Sequence, residues 1–253
     1  MSTTFSPAPG AAPLARQVLA QAAMEARLML RNGEQLLLAV VIPVVVLVGA
    51  VRGSERVGIS FDDPTVDVMT PGVLALAVMS TSFTSLAIAT GFERRYGVLK
   101  RLGTAPLSRA ALLGGKVGAL FAVELLQFAV IGSVGFGLGW SPSIDVVGVL
   151  LTLLLGTAAF AALGLLLAGA LRAEATLAAA NLVYLLLMAG GAVVLPASAY
   201  GELGTVMTWL PSGALGEAMR SACAGDLPWR DLLVLAGWAG AGSVLTARTF
   251  RWE

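Results

Sequence analysis

Side chains that perform acid–base or metal chemistry are scarce in this chain. It contains no histidine and one cysteine, Cys223, so a metal centre of the usual histidine and cysteine type is not predicted. The lone cysteine excludes a disulfide within the chain and leaves a crosslink between two copies open. Glu124 is the one clear acid inside an apolar stretch, and a charge there would cost at least about 2.5 kcal/mol in a bilayer. We therefore expect Glu124 to face protein or water, and we predict no catalytic residue.

The second chemical feature is a basic segment between two apolar stretches, Glu93 to Arg109. Val98, Leu99 and Leu102 form a small apolar edge there, and Gly97 and Pro106 bracket it. A short helix with an apolar edge and a charged rim is suited to a groove on another protein. The alternative is that these charges only follow the excess of basic residues on the cytoplasmic side of membrane proteins. The segment carries Arg94, Arg95, Lys100, Arg101 and Arg109.

The elements that must position these residues are apolar runs. Hydrophobic residues make up 57% of the chain and charged residues 12%, whereas ordinary globular domains contain about 25% charged residues. The net charge of +1 predicts no nucleic-acid partner. Apolar runs long enough to cross a bilayer, with Lys116 and Glu124 as the charges within the third, predict an all-α integral membrane protein with six transmembrane helices. Their approximate bounds are 35–51, 68–92, 112–139, 146–171, 175–195 and 232–247.

The distribution of basic residues predicts the orientation. If the N-terminus is inside, most of the 16 lysines and arginines lie on the inner side, which places both termini in the cytoplasm. The expected location is the inner (plasma) membrane. Residues 1–13 read as a disordered tail and 14–253 as a single transmembrane domain, with a cytoplasmic loop at 93–111. Glu93 is expected to pair with Arg94 or Arg101 or to contact a partner, and Lys116 to extend toward the lipid head groups.

Two further segments do not cross the membrane. Residues 14–31 form a predicted amphipathic helix on the inner surface, because Gln17, Gln21 and Glu25 recur four residues apart; the alternative is a solvated helix leading into the first span. The uncharged run from Leu203 to Gly216 has only 14 residues and is interrupted by glycine and proline, so it is too short to cross. We therefore predict that residues 197–230 form a pair of short re-entrant helices on the outer side. The alternative there is a surface loop with interfacial Trp209 and Trp229.

The basic segment resembles the loop after the second span in type-2 ABC-transporter permeases, the membrane subunits of bacterial drug, lipid and polysaccharide exporters. The matching residues are Glu93, Gly97, Leu99, Lys100, Arg101, Leu102, Thr104, Pro106, Leu107, Ser108 and Arg109. A second resemblance lies in WLPSGALGEAMR, from Trp209 to Arg220, where Pro211 and Arg220 have the family spacing while Ser212 and Ala214 depart from it.

The resemblance implies a mechanism. Such permeases pair with a second permease copy or a sister permease, and each binds a cytoplasmic ABC ATPase subunit through the loop after span two. ATP and Mg would be bound by that ATPase, and this chain lacks the G-x-x-x-x-G-K-[ST] phosphate loop. The implied task is export of a hydrophobic or amphipathic substrate through membrane lipid. Glu93, Gly97, Leu99, Lys100, Arg101, Leu102, Thr104, Pro106 and Arg109 would couple to the ATPase, and Glu124, Asn181 and Tyr184 would contribute to the transport path or the dimer contact.

Two other functional classes are compatible with the sequence. A proton-coupled secondary transporter would use Glu124 as the proton carrier and would leave the basic loop without a docking role. Internal repeats would favour it, and none is convincing. A membrane-embedded enzyme is less favoured, because a chain without histidine and with almost no buried acids offers little for acid–base catalysis. For Glu124 the structural alternative is a hydrogen bond to Gln127, Ser133 or a threonine of another span.

Overall fold

The structure is a computed structural model that describes residues 12–57, 61, 63–102 and 108–249. These residues form helices and no strand, which confirms the all-α prediction. The predicted disordered tail lies outside the described residues up to position 11. The elements in chain order are α1 Leu14–Arg31, α2 Gly33–Val57, α3 Thr65–Met79, a π-helical segment Ser80–Ser85, α4 Leu86–Arg95, α5 Val98–Leu102, α6 Arg109–Gly137, α7 Val146–Ala170, α8 Ala173–Gly190, a 3-10 turn Ala197–Tyr200, α9 Leu203–Met207, α10 Pro211–Cys223 and α11 Trp229–Thr249.

Five helical stretches in the described part of the chain are long and apolar enough to cross a bilayer. α3, the π segment and α4 act as one such stretch, and α2 has a shorter apolar section, Ala39–Gly53, among its described side chains. These helices make the chain a multi-pass membrane protein, while a sixth crossing by α2 stays a prediction. The five stretches are Thr65–Arg95, Ala110–Gly137, Val146–Ala170, Ala173–Gly190 and Trp229–Thr249.

The centre of the bundle is the stretch that runs from α3 to α4. Every residue from Leu74 to Met79 is buried, and Phe83 of the π segment packs edge-on against Phe160 of α7. A β-carbon at Gly164 of α7 would lie 2.8 Å from the Phe83 carbonyl oxygen, so glycine permits this close approach. By contrast α8 and α11 are mostly exposed, and their outward leucines face lipid or another subunit.

The N-terminal helix packs against the bundle with the face that contains Gln21. A helix that only lies on the membrane surface would turn its polar face toward water. α1 packs along α6, and Gln21 is buried in that contact. A β-carbon at Gly118 would lie 3.0 Å from Ala22 Cβ, so glycines of α6 let α1 approach closely. Leu19 and Leu28 remain exposed. The part of the surface that contains glutamine therefore faces protein, and leucines are left for the lipid.

α8 ends at Gly190, five residues earlier than the predicted span limit of 195. Ala192 has a positive φ of 53°, and the chain continues as an irregular segment, 191–195. This segment passes between α3 and α10, where a β-carbon at Gly216 would lie 2.7 Å from the Val193 carbonyl oxygen and one at Gly72 would lie 2.8 Å from Arg220 Nη1. α8 ends at Gly190 because residues 191–195 contact α3 and α10 in place of a further helical turn.

Candidate functional site

The basic loop begins with three consecutive residues at the end of α4, Glu93, Arg94 and Arg95, which we call the junction. Glu93 Oε1 lies 2.6 Å from Lys116 Nζ of α6, and the same ammonium lies 3.2 Å from Glu25 Oε1 of α1. The Lys116 side chain is only 5% exposed. The expectation that Lys116 reaches the head groups is therefore wrong, because two carboxylates from different helices retain it inside the bundle.

The two arginines of the junction reach in other directions. Arg94 donates hydrogen bonds to the carbonyl oxygens of Ala168, Gly169 and Leu171 at the end of α7, with distances of 2.7–2.8 Å. Those carbonyls lack partners within the helix, and a guanidinium there also complements the negative end of the helix dipole. Arg95 pairs with Glu174 in the first turn of α8. The junction thus links α4 to α1, α6, α7 and α8.

The short helix α5 follows the junction after Gly97, whose φ of 68° makes the turn between α4 and α5. The Lys100 and Arg101 side chains are exposed, and Leu102 is half-buried. Leu99 and Arg109 are placed in helices, and their side chains are outside the described set, as are Thr104 and Pro106 entirely. The return of the loop contacts α1, since Gln17 Oε1 accepts a hydrogen bond of 3.1 Å from the Ser108 amide. The loop therefore presents basic side chains outward from an anchored base.

A polar centre lies in the middle of the bundle around Glu124, whose side chain is completely buried. Glu124 Oε1 lies 2.7 Å from the Ser82 hydroxyl of the π segment, and Oε2 lies 2.7 Å from the Thr157 hydroxyl of α7. One turn away, Gln127 accepts a hydrogen bond from Thr81 and donates one of 2.8 Å to the Ala39 carbonyl oxygen of α2. The centre joins α2, the π segment, α6 and α7 within a single chain.

The hydrogens available at this centre favour a neutral Glu124. Ser82 Oγ lies 2.7 Å from the Val78 carbonyl oxygen as well as 2.7 Å from Glu124 Oε1. A hydroxyl has one hydrogen to donate, so it satisfies one of these two acceptors. A carboxylic acid group on Glu124 supplies the other hydrogen, and it avoids the cost of a buried charge without a counter-ion.

The other two candidates of the transport path lie on α8 and are not hydrogen-bond partners of Glu124. Asn181 is exposed on the surface of the bundle, and Tyr184 is half-buried and interacts with Ser80 of the π segment. The structure therefore brings Tyr184 to the same π segment as Glu124, on another side of it. Asn181 stays on the surface, where it faces lipid or another subunit.

At the end of the bundle opposite the loop, which we call the far end (residues 191–230), Arg220 is the central side chain. Its guanidinium donates to four successive carbonyls of Ala192–Leu195 over 2.9–3.3 Å, and it pairs with Glu217 at 3.3 Å. Burial lowers the pKa of Arg220, and the charge of Glu217 opposes that shift. Glu217 was missed by the sequence analysis, although its position three residues before Arg220 on a helix is a usable signal.

The remaining residues of the outer signature have distinct surroundings. Pro211 is buried and occupies the first turn of α10, where its missing N–H costs nothing. The Trp209 ring is exposed, and the Arg230 guanidinium lies 5.2 Å from its centroid. Arg230 was also missed, since a single arginine at the start of a helix does not by itself indicate a site.

An open cavity of about 840 Å³ lies between α3, residues 140–143 and α10. Its polar lining includes Asp67, Glu217 and Arg220, and Asp67 Oδ1 accepts a hydrogen bond of 3.0 Å from the Ser141 amide. Cys223 also lines this cavity, and burial raises the pKa of its thiol to about 12. Within the described ranges no group of three or more potential metal ligands occurs.

The sequence was compared with known protein families. The model of the family described as ABC-2 family transporter protein matches residues 56–248, from the end of α2 to the end of α11. No curated protein matches the chain.

Proposed function

The chain belongs to the ABC-2 transporter family, and we propose that it is the permease subunit of an ATP-driven exporter in the plasma membrane. In this proposal two permeases, identical or sister chains, form the membrane part, and each binds a separate cytoplasmic ABC ATPase. The ATPase holds ATP and Mg, and both termini of the permease lie in the cytoplasm. The cargo is a hydrophobic or amphipathic molecule that leaves the cell.

The observation that carries this proposal is the junction. A force applied to α5 reaches Glu93, Arg94 and Arg95 directly, because only Tyr96 and Gly97 separate them from that helix. From there it reaches α6 and α1 through Lys116, α7 through the carbonyls bound by Arg94, and α8 through Glu174. Closure of the ATPase pair would thus move helices as rigid bodies, as in other switching proteins.

The surface of the loop supports an acidic partner. Lys100 and Arg101 are exposed beside a short apolar edge, and Tyr96 is 65% exposed at its start. Aromatic residues and arginine are enriched at protein–protein interfaces, so this surface favours contact with a groove on a partner protein. We infer that the ATPase offers carboxylates to this edge.

The exposed amide of Asn181 supports the dimer. It lies on α8 among exposed leucines such as Leu182 and Leu185, and no hydrogen bond to it is found within the described residues. An amide that faces lipid loses its hydrogen bonds to water, whereas an amide or carbonyl of a second permease restores them. We infer that the Asn181 side of α8 faces the second permease.

The test is co-purification of the tagged chain from its native host, with the ATPase identified by mass spectrometry. The parent chain is expected to retain an ATPase that the Lys100→Glu/Arg101→Glu variant loses. Arg248→Glu is the matched control, because Arg248 is an exposed basic residue at the same end of the bundle and outside the loop. A folded parent chain that transports without any ATPase would overturn the proposal.

A further inference from the structure

Arg230 lies where two depressions of opposite character meet. One depression, about 260 Å³, is polar and has Ser198, Thr205 and Thr208 in its lining. The other is an open apolar groove of about 670 Å³ along the first half of α11, lined by Trp209, Leu233, Val234, Gly237, Trp238 and Ala241. Arg230 lines both of them.

The guanidinium of Arg230 is fixed in position and forms no ion pair with a described residue. Its Nη2 donates a hydrogen bond of 2.8 Å to the Thr208 hydroxyl, and its Cζ lies 5.2 Å from the Trp209 ring centroid. Guanidinium has five N–H donors, so most remain for a ligand. No acid lines either depression among the described residues; the neighbouring Asp231 interacts with the charge of Arg230 but lines neither depression. Arg220 differs, because both of its Nη groups are taken up by carbonyls and Glu217.

The apolar groove is formed by small side chains beside a fixed aromatic ring. Gly237 and Ala241 lie four residues apart on one face of α11. Trp238 flanks them, and its Nε1 donates a hydrogen bond of 2.9 Å to the Trp209 carbonyl oxygen. A β-carbon at Gly237 would meet no atom within 4 Å, so the space above it is open.

The level of the groove in the membrane follows from its aromatic residues. Trp209 and Trp229 are both exposed where α11 begins, and tryptophans concentrate at the membrane–water interface. α11 then continues as a stretch able to cross the bilayer. The polar depression therefore lies at head-group level and the groove extends toward the hydrocarbon.

We propose that this paired depression binds one anionic phospholipid, with its phosphate on Arg230 and one acyl chain along Gly237 and Ala241. The hydroxyls of Ser198, Thr205 and Thr208 complete the head-group side. Arg230 selects an anionic lipid over a zwitterionic one, because the described lining supplies a guanidinium for a phosphate and no carboxylate for a choline or ethanolamine group. The combined space is in the range of about 300–1,000 Å³ that ligand sites occupy. This inference does not depend on ATPase coupling.

The test uses the full chain in vesicles and tryptophan quenching by lipids with brominated acyl chains. Brominated phosphatidylglycerol is compared with brominated phosphatidylcholine at equal mole fraction. Because Trp209 and Trp238 line the groove, we expect stronger quenching by phosphatidylglycerol in the parent chain. Arg230→Gln should remove this preference, and Arg230→Lys should retain it.

Matched variants separate the site from the rest of α11. Gly237→Leu fills the groove and should reduce quenching by both lipids. Gly240→Leu adds the same side chain to the same helix, at a glycine that also has open space and lies outside the groove, and should behave as the parent. Arg248→Gln removes one positive charge from the other end of α11 and should keep the preference.

Three results would overturn the assignment. One is equal quenching by the two lipids in the parent chain, and another is a preference that survives Arg230→Gln. The third is loss of the preference when inorganic phosphate replaces chloride at equal ionic strength, which would make free phosphate, and not a lipid, the occupant.

Discussion

At the loop end, the charges of Glu93, Arg95 and Lys116 pair with side chains on other helices, whereas at the far end Arg220 binds the main chain of one segment. Side-chain pairs exchange partners when helices shift by a few ångströms. A guanidinium that spans four successive carbonyls has no alternative arrangement, because any shift leaves buried acceptors unpaired. The ion pairs at the loop end can therefore change partners, whereas Arg220 at the far end and Arg94 on the α7 carbonyls hold fixed positions.

The largest effect is expected from Arg220→Met. This change leaves the carbonyls of Ala192–Leu195 without their donor, and it should lower the free energy of unfolding by about 3 kcal/mol. Thermal unfolding in detergent measures it, with Arg248→Met as the exposed control. Equal melting temperatures for the two variants would show that the far end is not held by Arg220.

A medium effect is expected at the loop end from Glu93→Gln and Lys116→Met. Because the two groups are 2.6 Å apart and largely buried, a double-mutant cycle should give a coupling energy of about 1–3 kcal/mol in unfolding. The same variants should also uncouple ATP hydrolysis from transport in the reconstituted complex. Additive effects in both measurements would contradict a shared role.

A small effect is expected from Glu124→Gln in the middle of the bundle. The amide reproduces a neutral acid, since its N–H donates to Ser82 and its oxygen accepts from Thr157, so stability should change by less than about 1 kcal/mol. Glu124→Leu should cost more. Transport that persists in Glu124→Gln separates the exporter from a proton-coupled carrier, which would lose activity.

Chemical labelling of Cys223 should have the smallest effect on stability. It also gives the most direct measure of burial at the far end. Its thiol pKa of about 12 means that thiolate forms only as the pH approaches 12, so at pH 7 about 10³-fold less thiolate is present than for a thiol near its usual value of 9.0. Maleimide labelling of the native chain should thus be slow, and fast after denaturation. Arg220→Met should accelerate it, and native labelling as fast as that of the denatured chain would contradict the burial of the Cys223 thiol.

Hydropathy predicts bounds for α3–α4, α6, α7 and α11 that differ from the helices by three residues or fewer, because a long apolar run with few charges is enough to indicate a span. It failed at the end of α8, where the run of uncharged residues continues although the helix stops. The Gly190–Gly191 pair was the available signal there. The distribution of uncharged residues alone does not predict that residues 191–195 turn back against α3.

The partners of charged residues were harder to predict than the helices. Glu93 was expected to pair with its neighbours in the loop, and it pairs with Lys116, 23 positions away. That contact depends on the rotation of α4 against α6, which no local pattern encodes. The contact between α1 and α6 is a similar case, because Gln21 is buried where glycines of α6 let α1 approach, and the spacing of Gln17, Gln21 and Glu25 alone does not predict that contact.

The π-helical segment Ser80–Ser85 sets the angular phase between the two halves of its span. A residue added or removed in a helix turns everything beyond it by about 100° and shifts it by about 1.5 Å. Deleting one residue of α4, between this segment and the junction, would thus rotate Glu93, Arg94 and Arg95 away from their separate neighbours in one step, with none of the three altered. The residues between Ser82, the partner of Glu124, and the junction are therefore expected to tolerate substitution far better than deletion. Co-purification of the ATPase with single-residue deletions and with alanine substitutions at the same positions measures that difference.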